Sequence, residues 1–534
     1  MDHRADPRGR RRSHPQLAVA HTDVLIIGAG SAGSVLANRL SEDPSRHVTV
    51  VEAGSRVTDP EMRRPELWPF IHGRSYDWAY HTTPQPGLGG RSLEWARGRG
   101  PGGSSLVHAM AHMRGCRADF DRWVDVTGDD RWSWDSLLPF FRAMETFSGG
   151  ADAVHGDSGA LPVLSPGPDL SSPLVQDYIA AWQALGVPRI PDHNGGEMLG
   201  ATPNSLTIRN GERVTVSDVY LDPVLDRPNL TLLTEVTVHR LRIADGRVTG
   251  VEVTRDGRDE VLEADEVILA GGSIGDPLLL MRSGVGDPAD LAAAGVPVVL
   301  ASPGVGKNLH DHLLGAGNLY RSEKPVPPTK LQLSESMTYL SLEGLSTASG
   351  AVDMVVGCVV GPSASESFGE TDAATVQPGE GYTLLFGVTN PTSRGSLRIS
   401  GPDIADEPII DPNYLDTEHD RATFRAALEH ARLVGASAGL DDWRRDEVLP
   451  GAGSALSEAE ADAFIAAAAI THHHPVGTLR MGADDDAPVT PGLRFRGLDN
   501  LFVVDASVIP SITAGPVHAS VLAIAESFAS TYGH

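Results

Sequence analysis

The stretch "TDVLIIGAGSAGSVLANRLSEDPSRHVTVVEAGS", residues 22–55, decides the fold. Val24 to Ile27 is an unbroken apolar run of strand length. Gly28, Gly30 and Gly33 follow at once, with Ser31 among them, and Val35, Leu36, Arg39 and Leu40 then recur at helical spacing. Gly28 permits the tight turn, Gly30 lets backbone approach a pyrophosphate, and Gly33 lets the helix pack against the strand. Ser31 lies in the turn that leads into a helix whose N-terminal N–H groups and dipole favour an anion. A second apolar run, Val48 to Val51, ends in Glu52, about twenty residues beyond Gly33, where a carboxylate accepts hydrogen bonds from a ribose hydroxyl. Strand, turn, helix, strand and acid together predict a dinucleotide-binding α/β unit. The fingerprint alone does not separate FAD from NAD.

The 534 residues exceed the size at which a single core keeps growing, so two domains or one large composite unit are expected. An apolar content of 41% with 21% charged residues excludes a wholly disordered chain. A formal charge of −27, from 43 basic against 70 acidic residues, repels nucleic acid and anionic membranes, so neither is expected as a partner. Cys116 and Cys358 are too few for a disulfide scaffold or a cysteine-rich metal site, and they fit a reducing cytoplasm. Residues 1–20 are basic and polar and read as a disordered tail rather than a secretory signal. No apolar run approaches the ~20 residues that span a bilayer, so no membrane insertion is expected.

Further along, "ARGRGPGGSSLVHAMAHMRG", residues 96–115, is a second glycine-dense stretch. "VTVHRLRIADGRVTGVEV", residues 236–253, reads as two strands around an Asp245-Gly246 hairpin turn. "ADEVILAGGSIGDPLLLMRSGVG" repeats the order strand, glycine turn, helix. Residues 316–390 mix short strands with Ser, Gly and Pro loops, and the alanine-rich piece 417–469 reads as largely helical.

In this order the blocks "DVLIIGAGSAGSVLANRLSE", "RGRGPGGSSLVHAMAHMRG", "ILAGGSIGDPLLLMRSGVG", "PGVGKNLHDH", "HPVGTLRMG" and "NLFVVDASVIPSITAGPVHASVLAIAE" resemble one family, the glucose-methanol-choline oxidoreductases, which are FAD-dependent alcohol oxidases and dehydrogenases. The resemblance runs from about residue 23 to residue 528. It implies an α/β fold with a Rossmann-like FAD-binding domain interleaved with an α+β substrate domain that contains an antiparallel sheet. The FAD-binding domain is expected over 21–55, 90–150, 205–315 and 470–534, and the substrate domain over 56–89, 151–204 and 316–469. By the same resemblance Gly28, Gly30, Gly33 and Glu52 hold the ADP half. Gly102, Gly103, Ser104 and Ser105 line the pyrophosphate and flavin, Val238 touches adenine through its backbone, and Asp505 with Ala506 meets the ribityl-pyrophosphate region. His474 falls on the family's catalytic histidine.

Three positions depart from the pattern. Val107 stands where some choline-oxidising relatives carry a flavin-linking histidine, so FAD is expected to be held non-covalently. His108 replaces the family's usual Asn, and Pro516 takes the place of its second catalytic side chain, normally His or Asn. The His-X-His-Pro run together with Gly-Pro near the C-terminus resembles the pyridoxine 4-oxidase branch.

The run "THHHPVGTLRMG", residues 471–482, carries the chemistry. Oxidising an alcohol removes a proton from oxygen and a hydride from carbon, so a base must stand within hydrogen-bond reach while flavin takes the hydride. Histidine suits that role at neutral pH. Pro475 pushes His474 toward extended backbone, in which His472 and His474 share a face and His473 takes the other. Pro516 has no proton to exchange, which leaves His472 or His518 as the partner. Gly515-Pro516 suits the first turn of a helix whose apolar face carries Val521, Leu522, Ala525 and Phe528, and that helix's dipole, if its N-terminus points at the flavin, suits an anionic reduced ring. Adjacent histidines on opposite faces cannot all converge on zinc, so no metal is expected. His310 and His312 in "NLHDH" read as a structural pair. The expected activity is oxidation of a primary alcohol, pyridoxine-like or aryl, with oxygen or another electron acceptor. A choline dehydrogenase-like enzyme using a non-oxygen acceptor and a non-redox lyase that keeps FAD as scaffold stay open.

Overall fold

Continuous apolar strands buried on both faces are the pattern of a parallel sheet covered by helices. In the computed structural model, which describes residues 22–342, 344, 350–451, 453 and 455–533, they form one. The expected basic tail lies outside the described residues. The sheet order is Leu230–Leu233, Val48–Val51, Val24–Ile27, Glu266–Leu269 and Leu501–Val503, all parallel, with Val24 opposite both Val48 and Glu266. The glycine turn after Ile27 therefore leaves from the central strand.

The helix Ser31–Leu40 packs on the C-terminal helix His518–Thr531. Arg39 grips the Glu526 carboxylate through two nitrogens at 2.7 and 2.9 Å, and Tyr220 donates to the same carboxylate at 2.8 Å. A bidentate, half-buried pair of this kind fixes geometry as well as adding energy. The first and last α-helices among the described residues are thus one structural unit. The hairpin Val236–Ala244 and Arg247–Arg255 turns at Asp245 and Gly246, with φ of 50° and 72°, the left-handed pair that a two-residue hairpin demands.

A second, antiparallel sheet has the order Ser334–Leu340, Met354–Val359, Gly381–Val388, Leu313–Ser322 and Arg444–Leu449, and Ala469–Thr471 also pairs with Leu313–Ser322. The helix Glu418–Gly435 covers it with Phe424, Ala427, Leu428, Ala431 and Val434, an apolar stripe at helical spacing, and Thr417 caps its start. The segment 417–469 is not helical throughout. Arg444–Leu449 is an edge strand, and the exposed charge of Arg445 suits an edge that pairs on one side only. Leu313–Ser322 runs through residue 315 and Ala469–Thr471 through residue 470, so both expected boundaries there cut strands of this sheet.

One register decides where the histidines meet. Leu313 lies opposite Thr471 and Gly315 opposite Ala469, and the His472 N–H donates to the His312 carbonyl at 2.9 Å. That pairing brings "NLHDH" and "THHHP" side by side. Among the described residues no helix is long and apolar enough to cross a membrane.

Candidate active site

The two glycine stretches interleave. Gly28 has φ of 104°, and a Cβ there would sit 2.5 Å from the Ala270 carbonyl oxygen; a Cβ on Gly33 would sit 1.9 Å from the Gly28 carbonyl oxygen. Both glycines are demanded by the fold itself. Gly30 is different: its φ is −70°, and a Cβ would find its nearest protein atoms at 3.8 and 3.9 Å. No side chain caps the helix that begins at Ser31, which leaves its first N–H groups for an anion. Gly102 and Gly103, with φ of 102° and 52°, lie directly over this turn, and a Cβ on Gly103 would come 2.6 Å from Gly30 Cα.

Around that cradle the carboxylates brace backbone. Buried Glu52 accepts from the N–H groups of Ala29 and Gly54, both at 2.9 Å; burial pushes its carboxyl pKa up while those donors oppose the shift. Asp505 accepts from Gly272 N–H at 2.6 Å and from Ser507 N–H at 2.8 Å, so it ties the second glycine turn to the turn that starts at Ala506. Its neighbour Asp276 is pushed well above the usual carboxylate range, by burial first and then by the charge of Asp505. Ser105 turns inward, donating to the Gly102 carbonyl at 2.6 Å and accepting from Val216 N–H at 3.0 Å, whereas Ser104 keeps some exposed surface. At Val238 the ladder slips between Val238 and Arg240, a bulge that takes His239 out of register.

The histidine run does not continue the strand. Thr471 ends it and His473 is left-handed at φ 63°, yet His472 and His474 still come together with ring centroids 4.4 Å apart. His473 goes elsewhere, edge-on to His72 at 5.1 Å, and its carbonyl accepts from buried Arg97. Asp311 pins the loop: its carboxylate accepts from His474 N–H and the Thr471 hydroxyl, both at 2.6 Å, and from the Tyr414 hydroxyl.

The partner that sequence reasoning missed is His312. Its Nδ1 lies 3.0 Å from Nδ1 of His474, and its Nε2 lies 2.8 Å from the Thr389 carbonyl oxygen. His310 alone has the structural role expected of the pair, donating from Nδ1 to the Asn308 carbonyl at 2.6 Å and accepting from Ile512 N–H at Nε2 at 3.0 Å. The signal for His312 was its place immediately before an apolar strand, but only the strand pairing shows which residue it faces.

All these imidazoles are held neutral by burial. His312 is pulled down to about 4 and His472 to about 3, while His474 falls well below its ordinary value, by burial first and then by His472, His312 and Arg97. His472 and His474 keep some accessible surface although protein atoms surround them, as side chains that line an internal cavity do. His108 and His518 form a separate pair, with ring centroids 4.9 Å apart. His108 Nε2 and both nitrogens of His518 are buried with no partner in the protein. His518 is the first residue of its helix and Val517 its cap, so Pro516 precedes the first turn instead of lying within it.

Two family models describing GMC oxidoreductases match the chain, one over residues 22–314 and the other over 391–525. The chain belongs to the GMC oxidoreductase family. It is similar to pyridoxine 4-oxidase of Microbacterium luteolum, 52% identical over 96% of this chain and 100% of that protein. It is more distantly similar to the mitochondrial choline dehydrogenase of Mus musculus, 36% identical over 95% of this chain and 88% of that protein. The crystal structure of pyridoxine 4-oxidase from Mesorbium loti superposes with a TM-score of 0.91 at 52% identity, covering 96% of this chain and 99% of that one.

As a GMC oxidoreductase the chain is an FAD-dependent enzyme acting on the CH–OH group of an alcohol. Its own residues fit the cofactor. Gly30 leaves room beside an uncapped helix start where a pyrophosphate would approach. The unpartnered nitrogens of His108 and His518 are the buried polar atoms that a flavin ring's oxygens and nitrogens would satisfy. Val107 packs among Met62, Ile71, Tyr76 and Leu106 and has no nucleophilic atom, so this GMC enzyme holds FAD without a bond at that position.

Proposed function

We propose that this GMC oxidoreductase oxidises the primary alcohol of a pyridoxine-like substrate to the aldehyde, with Nε2 of His474 taking the hydroxyl proton and oxygen as the final acceptor. The carrying observation is the hydrogen-bond chain behind His474. Nε2 of His312 faces a carbonyl oxygen, which can only accept, so Nε2 carries the hydrogen. A neutral His312 then has a bare Nδ1, and the contact to His474 requires Nδ1–H on His474. That leaves Nε2 of His474 with the lone pair a base needs. Bound FAD supplies the hydride acceptor.

His472 stands beside the base and orients the alcohol, while His518, next to His108, belongs to the cofactor's edge. His312 is a positioning residue, since it acts through His474. Pro516 contributes shape alone, and the alcohol's proton passes to His474 without a second protonic partner there. The segments 21–55, 90–150, 205–315 and 470–534, which supply every strand of the parallel sheet and cross into the antiparallel sheet only at their 315 and 470 boundaries, hold FAD. The segments 56–89, 151–204 and 316–469, the last of which carries most of the antiparallel sheet, cover the alcohol. The 52% identity to pyridoxine 4-oxidase supports the substrate class and oxygen.

The pH dependence tests this reading. Because burial depresses the His474 pKa, the base is already neutral well below its ordinary value. The rate constant for flavin reduction is expected to stay flat between about pH 8 and about pH 6 and to fall only in stronger acid, whereas a solvated histidine would be half protonated at about 6.5. Stopped-flow pH jumps are the suitable measurement. Stability follows the same sign: a histidine with a depressed folded pKa leaves stability intact above the unfolded pKa and costs stability as pH falls below it. An inflection near 6.5 in the reduction rate, with the fold intact, would contradict the buried neutral base.

A further inference from the structure

The run of three histidines sends two imidazoles to one point, and the chain supplies a third from a distant segment. One ring nitrogen each from His312, His472 and His474 lie within 4.8 Å of one another, and the His312 to His474 distance is already 3.0 Å. Three neutral nitrogens with no carboxylate oxygen among them suit Zn²⁺ and its borderline neighbours, and suit Mg²⁺ or Ca²⁺ poorly. Nitrogens bound to one tetrahedral Zn²⁺ at about 2.0–2.1 Å stand about 3.3 Å apart, so His312 and His474 are near ligand spacing, and a side-chain rotation of His472 closes what remains of the 4.8 Å that bounds the cluster. His312 also has the outer support that metal-bound imidazoles use, since its far N–H donates to the Thr389 carbonyl at 2.8 Å. Asp311 fixes the backbone of the loop that carries the other two.

We propose that His312, His472 and His474 form an inhibitory site for Zn²⁺ or a cation of its class, which ties up the base that the reaction requires. On binding, the hydrogen bond between the two δ nitrogens opens and its proton moves to Nε2 of His474. Both δ nitrogens then ligate the metal, and no proton has to leave the protein. The atom that must accept the alcohol's proton is thereby already protonated. The fourth metal position stays open to water or the alcohol. The inhibitory consequence rests on His474 being the base; the binding site itself does not.

Equilibrium dialysis of Zn²⁺ against the FAD-loaded, EDTA-treated enzyme reads the metal directly. One Zn²⁺ per chain is expected, undisturbed by Mg²⁺. His312→Ala, His472→Ala and His474→Ala should each weaken binding at least about tenfold, and His473→Ala should leave it unchanged. Flavin content shows that each variant is folded. In the wild type, Zn²⁺ should slow flavin reduction and EDTA should restore it. Absence of stoichiometric binding, or binding that survives all three substitutions, overturns the site. Zn²⁺ binding to the wild type alongside a fully active His474→Ala variant would reject the base assignment and keep the site.

Discussion

Replacing His474 by alanine is expected to lower the rate of flavin reduction by roughly 10²- to 10⁴-fold while the purified protein keeps its FAD, the usual contribution of a positioned base. The flavin should stay because the loop's backbone is held by Asp311, and those bonds survive the substitution: one runs to the backbone N–H of residue 474 and another to Thr471. His472→Ala should cost less and fall mainly on substrate binding, since that ring lies 4.4 Å from His474 and is proposed to orient the alcohol. His473→Ala should reduce nearly as fast as wild type, with any loss appearing in stability, because its ring packs on His72 away from the other two. The check is anaerobic stopped-flow reduction of the three variants with flavin content measured beforehand. If His473→Ala were the most damaging while fold and flavin stayed intact, the assignment of His474 would be wrong.

Two glycines three residues apart should fail in opposite ways. Gly30→Val is expected to give a folded protein that has lost most of its FAD affinity, at least roughly tenfold, because a Cβ there lies 3.8 Å from its nearest protein atom and the side chain fills the space a pyrophosphate needs. Its backbone, at φ −70° and ψ −160°, is extended and outside the left-handed region that needs glycine. Gly33→Ala should instead destabilise the protein by roughly 1–3 kcal/mol whether or not FAD is present, since its Cβ would lie 1.9 Å from the Gly28 carbonyl oxygen and must push helix from strand. Thermal unfolding of the apo forms together with FAD titration separates the two. A Gly30→Val protein purified with full flavin and unchanged affinity would remove the fingerprint's meaning.

The parts of this molecule written in local signals were legible in the chain alone. The glycine turn after Ile27 and the Asp245-Gly246 hairpin each rest on backbone conformations that few residues adopt, so their residue types announce them. The convergence of His472 and His474 was expected from strand alternation, but it arises differently, through a left-handed His473. What stayed illegible depends on pairing across long stretches of chain. His312 reaches His474 only because Leu313 is registered against Thr471, a contact with no local marker. The edge strand Arg444–Leu449 was hidden for the same reason: charged residues between two helices take a strand's shape only because Leu313–Ser322 offers a partner. Ser105, placed among the cofactor residues by its motif, spends its hydroxyl on Gly102 and Val216, a distinction between neighbouring serines that a motif does not encode.

Anaerobic mixing of the FAD-loaded enzyme with pyridoxine tests most directly whether this GMC oxidoreductase removes hydride from a pyridoxine-like alcohol. The predicted result is rapid bleaching of the yellow oxidised flavin by pyridoxine, little effect from choline, and return of the colour when air is admitted. A flavin that stays oxidised with pyridoxine, while choline bleaches it or while substrate is consumed without any bleaching, would contradict the account.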